Sequence, residues 1–142
     1  MSRGLRIKRL INEVREFIKL AGELISMDID KFMADYRNRY TLRFIIVEIV
    51  EACVDIGLII LREKLGIEEV YGYKDVFRKL NEYGVISSSV YRGMTSLVGL
   101  RNLIIHRYWD IDDQRIYMKA HSNGFSIVEK YLEEVERFAF KP

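Results

Sequence analysis

The sequence predicts an all-α protein, a helical bundle of five to six helices. Apolar residues recur at steps of three and four along most of the 142-residue chain. Only one residue is proline, and no long alternating strand pattern or strand-flanked turn occurs. Capping residues and glycines punctuate the apolar stripes where helices would start and stop. The length suits one domain, taken as residues 1–142. Such a chain buries about 68–70% of its unfolded surface without needing a disulfide or metal staple.

The first helix covers about Arg3 to Ile25, with Ile7, Leu10, Ile11, Val14, Phe17, Ile18, Ala21 and Ile25 on one stripe. Ser26-Met27-Asp28 and Asp30 form a turn with N-cap residues. The second stretch, about Ile29 to Leu65, has a candidate break near Asp35 and ends at Gly66, a C′ residue. Its middle is apolar nearly all round, as expected of a helix buried on several sides, and Cys53 belongs to that core. Glu48, Glu51 and Asp55 are the exceptions, on one face at spacings of three and four, extended by Arg62. Acids on a buried helix require partners, and arginines such as Arg101 are the expected ones. After a loop from Ile67, a short helix from Lys74 to Tyr83 closes at Gly84. Ser87-Ser88-Ser89 caps a helix from about Ser88 to His106, and Asp110 to Asp113 caps another reaching Ala120. Asn123-Gly124 breaks the chain before a last helix from Ser126 to Phe138.

Composition excludes several classes. Lys plus Arg number 23 against 21 Asp plus Glu, a net charge of +2, too balanced for a surface that grips nucleic acid by bulk charge. One Cys and two His leave no disulfide framework and no Cys/His metal cage. The basic start lacks the apolar run of a signal peptide. The most apolar segment, Phe44 to Leu61, carries Glu48, Glu51 and Asp55, which would be costly inside a bilayer. A cytoplasmic protein with no membrane span is expected. The acidic stripe is read as holding arginines rather than a metal, and no cofactor is implied.

The chemistry concentrates at Gly99 to Asp110, where Arg101, Asn102, His106, Arg107, Tyr108 and Trp109 gather at the end of a helix. His exchanges protons near neutral pH. Arg neutralises charge developing on phosphorus and grips phosphate bidentately. Tyr stacks on a base or donates to phosphate. This set suits RNA cleavage without a metal, because the 2′-OH is an internal nucleophile. One site per chain is sparse for that task; a symmetric dimer would supply both an acid and a base. On spacing alone, a helix end carrying ordinary polar residues explains the segment somewhat better than a site does. Trp109 reads as a packing residue and His121 as a surface one.

Arg101-Asn102-Leu103-Ile104-Ile105-His106-Arg107-Tyr108 carries the pattern R-x4-H-x-Y and resembles the HepT-like toxins, a branch of the HEPN superfamily. The surroundings agree: Asp55-Ile56-Gly57 in the long helix, Tyr73 to Leu80 followed by Gly84-Val85-Ile86, Met94 and Gly99-Leu100 before the motif, and Trp109 to Asp112 after it. The resemblance spans about Tyr40 to Leu132, with Gly-Leu in place of the commoner Gly-Phe ahead of Arg101. It implies an all-α homodimer that cleaves RNA without a metal. It also implies a partner, a minimal nucleotidyltransferase antitoxin (MntA-like) that silences the toxin by transferring AMP to the motif tyrosine. Arg101 and His106 would then be catalytic and Tyr108 the modified residue. Asn102 would orient its neighbours and Arg107 would add charge favouring RNA. The competing expectation is a helical binding partner of a nucleotidyltransferase with no chemistry of its own.

Overall fold

Helix α1 (Arg3–Ile25) starts where the Ser2 side chain accepts the Leu5 N–H at 3.1 Å. The computed structural model describes residues 2–140. Met1, Lys141 and Pro142, which the expected domain bounds include, lie outside the described residues. Ile7, Ile11, Val14 and Ala21 of the expected stripe face inward, joined by Leu24, which the stripe did not include.

The second stretch does break at Asp35. Helix α2 (Ile29–Ala34) is capped by Asp28, and α3 (Tyr36–Ile59) by Asp35, whose carboxylate accepts the Arg37 N–H at 2.9 Å. Asp35 is extended, so the two helices meet at a corner. Side chains of α3 then satisfy carbonyls left open at the end of α2: Asn38 donates to the Phe32 carbonyl and Arg39 to that of Met33. The last turn of the long helix widens over Ile60–Lys64 into a π-turn, with the Leu65 N–H bonded to the Ile60 carbonyl at 3.0 Å. Gly66 stops it at φ +70°.

Helix α4 (Tyr73–Glu82) ends in a Schellman arrangement. Gly84 adopts φ +76°, and the Val85 N–H reaches back to the Leu80 carbonyl at 2.8 Å. Helix α5 (Ser88–His106) is capped by Ser87, α6 (Asp113–Asn123) by Asp112, and α7 spans Ser126–Phe140. Seven α-helices and no strand occur among the described residues, one helix more than the expected five to six because of the Asp35 corner.

Helix α3 is the axis of the bundle. It lies along α1 and meets α4 and α5, burying Ile45, Ile49, Val50, Cys53 and Ile56 among others. Full burial of an isoleucine contributes about 2–3 kcal/mol, so this helix carries much of the core. Burial pushes the Cys53 thiol up, which keeps it neutral and unreactive. From α7, the buried Tyr131 hydroxyl donates to the Cys53 carbonyl at 2.7 Å. Gly57 lets α4 approach: a Cβ there would stand 2.5 Å from Val76 Cγ1. Gly93 does the same for α5 against Ile127 of α7. No helix among the described residues is long and apolar enough to cross a membrane.

Candidate functional site

The last turns of α5 and the middle of the apolar run in α3 come together. The Arg101 Nε and Nη2 both donate to Glu51 Oε1, at 3.1 and 2.7 Å. Its Nη1 donates to Asn102 Oδ1 at 3.1 Å. The Tyr73 ring, at the start of α4, lies under the guanidinium with its centroid 4.6 Å from Cζ. The Tyr73 hydroxyl in turn donates to Glu51 Oε2. That donation, together with burial, pushes the Tyr73 phenol above its ordinary value, so it stays protonated. Three helices thus converge on one half-buried guanidinium, whose side chain is 18% exposed.

The other end of the motif is different. The α5 ladder stops with the Arg107 N–H on the Leu103 carbonyl at 2.8 Å, after which Arg107 leaves helical geometry at φ −139°, ψ 47°. A 3₁₀ turn follows over Tyr108–Asp110, closed by the Asp110 N–H on the Arg107 carbonyl and by an Arg107–Asp110 ion pair of 2.9 Å. His106, Tyr108 and Trp109 are all exposed, and among the described residues the His106 ring makes no hydrogen bond. Trp109 was expected to pack, yet within this chain it is 65% exposed and meets Tyr108 edge-on at 5.3 Å. The helix ends too soon to carry it over the core.

What fixes this tail is Arg43 of α3. Its guanidinium holds Asp113 at 2.8 and 2.6 Å and reaches the Tyr108 carbonyl at 3.3 Å. The Asp113 pair, with a side chain 14% exposed on the arginine, raises the Arg43 pKa further. Neither Arg43 nor Tyr73 was singled out in the sequence. Their contacts span 65 and 22 residues, and no local period marks them.

The acidic stripe does not act as a unit. Glu51 finds the expected partner in Arg101. Glu48 is half-buried and makes no ion pair among the described residues. Asp55 is exposed in a separate cleft of about 510 Å³ with Arg6, Arg9 and Arg62. Burial and the charges of Glu51 and Glu13 push its carboxyl above the ordinary value. Arg62, on the π-turn, lines the same cleft but forms no ion pair among the described residues. His121 lies on the surface as expected, but its Nδ1 stands 3.0 Å from the Ile25 carbonyl and its ring stacks on Tyr117, tying α6 to the end of α1. The basic start is structural in the same way: Arg6 pairs with Glu63, and Arg3 donates to the Glu63 carbonyl.

A half-buried arginine held by Glu51 and Asn102 thus shares a helix with an exposed histidine, with an exposed tyrosine just beyond, groups able to bind an anion and to move a proton. The family described as Ribonuclease HepT-like matches residues 8–139, and the chain belongs to that family. A tRNA nuclease HepT from Aphanizomenon flos-aquae (strain 2012/KM1/D3) is 25% identical over 113 residues, 80% of this chain and 76% of that protein. Among solved structures, the tri-AMPylated Shewanella oneidensis HEPN toxin in complex with MNT antitoxin is similar at TM-score 0.80 and 22% identity, covering 92% of this chain and 96% of that one. A toxin–antitoxin MntA-HpeT mutant is similar at TM-score 0.81 and 19% identity, with 92% and 98% covered. The all-helical HEPN fold expected from the motif is therefore the fold observed.

Proposed function

We propose that this protein is a metal-independent endoribonuclease toxin that works as a homodimer. The observation that supports this most directly is Arg101, held with two N–H donors still unassigned, on the same helix as an exposed His106. In this reading the 2′-oxygen of RNA attacks the adjacent phosphorus, and the 5′-oxygen leaves. One His106 of the dimer takes the 2′-OH proton and the other protonates the departing oxygen, giving a 2′,3′-cyclic phosphate. Arg101 stabilises the charge on the pentavalent phosphorus. The near relative named as a tRNA nuclease makes tRNA the substrate to try first.

A minimal nucleotidyltransferase antitoxin is the proposed partner. The Tyr108 phenol oxygen, which is exposed on its 3₁₀ turn, would attack the α-phosphorus of ATP. Pyrophosphate leaves, and the phenol proton passes to solvent. The bulky anion so attached would stand beside the site and keep RNA out. The likeness to a tri-AMPylated toxin supports this step.

The test is cleavage of tRNA by the purified chain in excess chelator. Wild type should cut and His106→Ala should not. Loss of activity with chelator would remove the metal-free mechanism. Tight binding to the antitoxin without any cleavage would favour the non-catalytic partner reading. Co-expression with the antitoxin should add mass in multiples of AMP, and Tyr108→Phe should prevent it.

A further inference from the structure

The most elaborate contact at the site involves a residue with no assigned part in the reaction. Tyr73 touches Arg101 through its ring and Glu51 through its hydroxyl, so it closes a three-membered ring of contacts around the guanidinium. An arginine has five N–H donors. Glu51 takes the Nε hydrogen and one on Nη2, and Asn102 takes one on Nη1. One donor therefore remains on each terminal nitrogen. With Asn102 on the Cδ-side hydrogen of Nη1, the remaining hydrogens of Nη1 and Nη2 face the same way and match two oxygens of one phosphate.

Charge and shape favour the same outcome. A lone Glu51 would attract Arg101 but leave its plane free to rotate about the ion pair. The Tyr73 ring, seated below Cζ, fixes that plane by cation–π attraction. Its hydroxyl occupies the second carboxylate oxygen, so Glu51 presents only Oε1 to the arginine. The result is an arginine whose edge toward α3 is filled while its other donors point away from it.

We infer that Tyr73 and Glu51 are positioning residues that orient Arg101 for a bidentate grip on the RNA phosphate at the cleaved bond. The inference rests on the nuclease reading above. Neither residue touches the reacting atoms; both act through Arg101. Their removal should lower kcat and leave KM nearly unchanged, since a misdirected arginine still attracts RNA but fails the transition state.

The experiment uses the full chain and one tRNA transcript that the wild type cleaves. Tyr73→Phe keeps the ring and loses the hydroxyl; Glu51→Gln keeps the shape and loses the charge. Each should lower kcat by about 10- to 100-fold with KM within about twofold. Glu51→Asp should recover part of the loss. Combined with Arg101→Lys, neither change should lower kcat further, because the group they orient is already gone. Wild-type kcat in both single variants would overturn the inference, and so would losses that multiply with Arg101→Lys. A tenfold rise in KM at unchanged kcat would overturn it too. If Arg101→Ala and His106→Ala cleave normally, the nuclease reading itself falls and the inference with it. If those two are inactive while Tyr73→Phe and Glu51→Gln are not, the inference alone falls. Circular dichroism and thermal melting of Tyr73→Phe, which deletes a single oxygen, separate misfolding from misdirection.

Discussion

Arg101 and His106 stand on the same helix, five residues apart, yet their surroundings are opposite. Arg101 is half-buried and bonded to Glu51 and Asn102, with Tyr73 under its plane. His106 is exposed at the last helical position, and Tyr108 and Trp109 beyond it project from a 3₁₀ turn. On an ideal helix the Arg101 and His106 side chains diverge by about 140°. The contrast teaches how the labour is divided. One chain is enough to build the arginine end, because three helices of its core meet there. The histidine end is left open to a second surface, whether another copy, RNA or an antitoxin. In the proposed reading His106 exchanges protons with RNA, and a group with that task cannot also be locked into the core.

The largest effect expected from breaking this contrast is at the open end. His106→Ala should lower cleavage by about a thousandfold, while the melting temperature stays within about a degree because the side chain touches little. Unfolding curves beside nuclease rates check both halves of that statement. A large stability loss would show that His106 belongs to the core after all.

The closed end should respond in the reverse order, with stability first. Gly57→Ala drives a Cβ to within 2.5 Å of Val76 Cγ1 and 3.0 Å of Leu80 Cδ1. Helix α4 must shift, at a cost of about 1–3 kcal/mol. Because α4 carries Tyr73, kcat should fall as well, while the proposed AMP transfer to Tyr108 continues. Denaturant melts and intact mass after co-expression measure the two.

A smaller, pH-dependent effect is expected at Asp75, in the first turn of α4. Its carboxylate accepts from Lys79 at 2.6 Å, from the Tyr71 N–H at 2.9 Å and from Arg78, which holds its pKa down to about 2. A folded value below the unfolded one of 3.8 stabilises the fold above about pH 4. That contribution disappears as pH falls toward 2. Asp75→Asn should therefore cost about 1–2 kcal/mol at neutral pH, with the difference from wild type closing in acid. Equal losses at all pH values would show that the hydrogen bonds matter and the charge does not.

The smallest change serves as a control on α5, ahead of both Arg101 and His106. The buried Thr95 Oγ1 has no hydrogen-bond partner among the described residues. Thr95→Val should raise stability by up to about 1 kcal/mol and leave nuclease activity alone. A fall in stability would mean that the hydroxyl has a partner in solution.

Much of the bundle was legible because helix ends announce themselves locally. Asp28, Asp35, Ser87 and Asp112 each cap a helix through contacts two or three residues away. Gly66 and Gly84 stop helices by adopting positive φ, as their positions suggested. The π-turn was not legible, since nothing in Ile60–Lys64 distinguishes a five-residue bond from a four-residue one. At the site, the pairing of Glu51 with Arg101 followed from the need to neutralise an acid on a buried helix. The choice of Glu51 over Glu48 or Asp55 did not, because all three share the face and only the position of α5 separates them. Trp109, read as packing in the core or at an interface, does not pack on the core of its own chain; an aromatic residue near a helix end carries no mark of whether the chain turns toward the core or away.

By itself, then, the sequence determined the helices, their caps, the apolar stripe that makes α3 the axis, and a motif with the right side chains for phosphate chemistry. These are properties of spacing along one chain, set by backbone hydrogen bonding and hydrophobic period. Tertiary structure decided which carboxylate meets Arg101, that Tyr73 lies beneath it, and that Arg43 pins the tail bearing Tyr108. Those contacts join residues 22 to 70 positions apart. Their geometry depends on how closely helices pack, which Gly57 and Gly93 permit but no local pattern encodes.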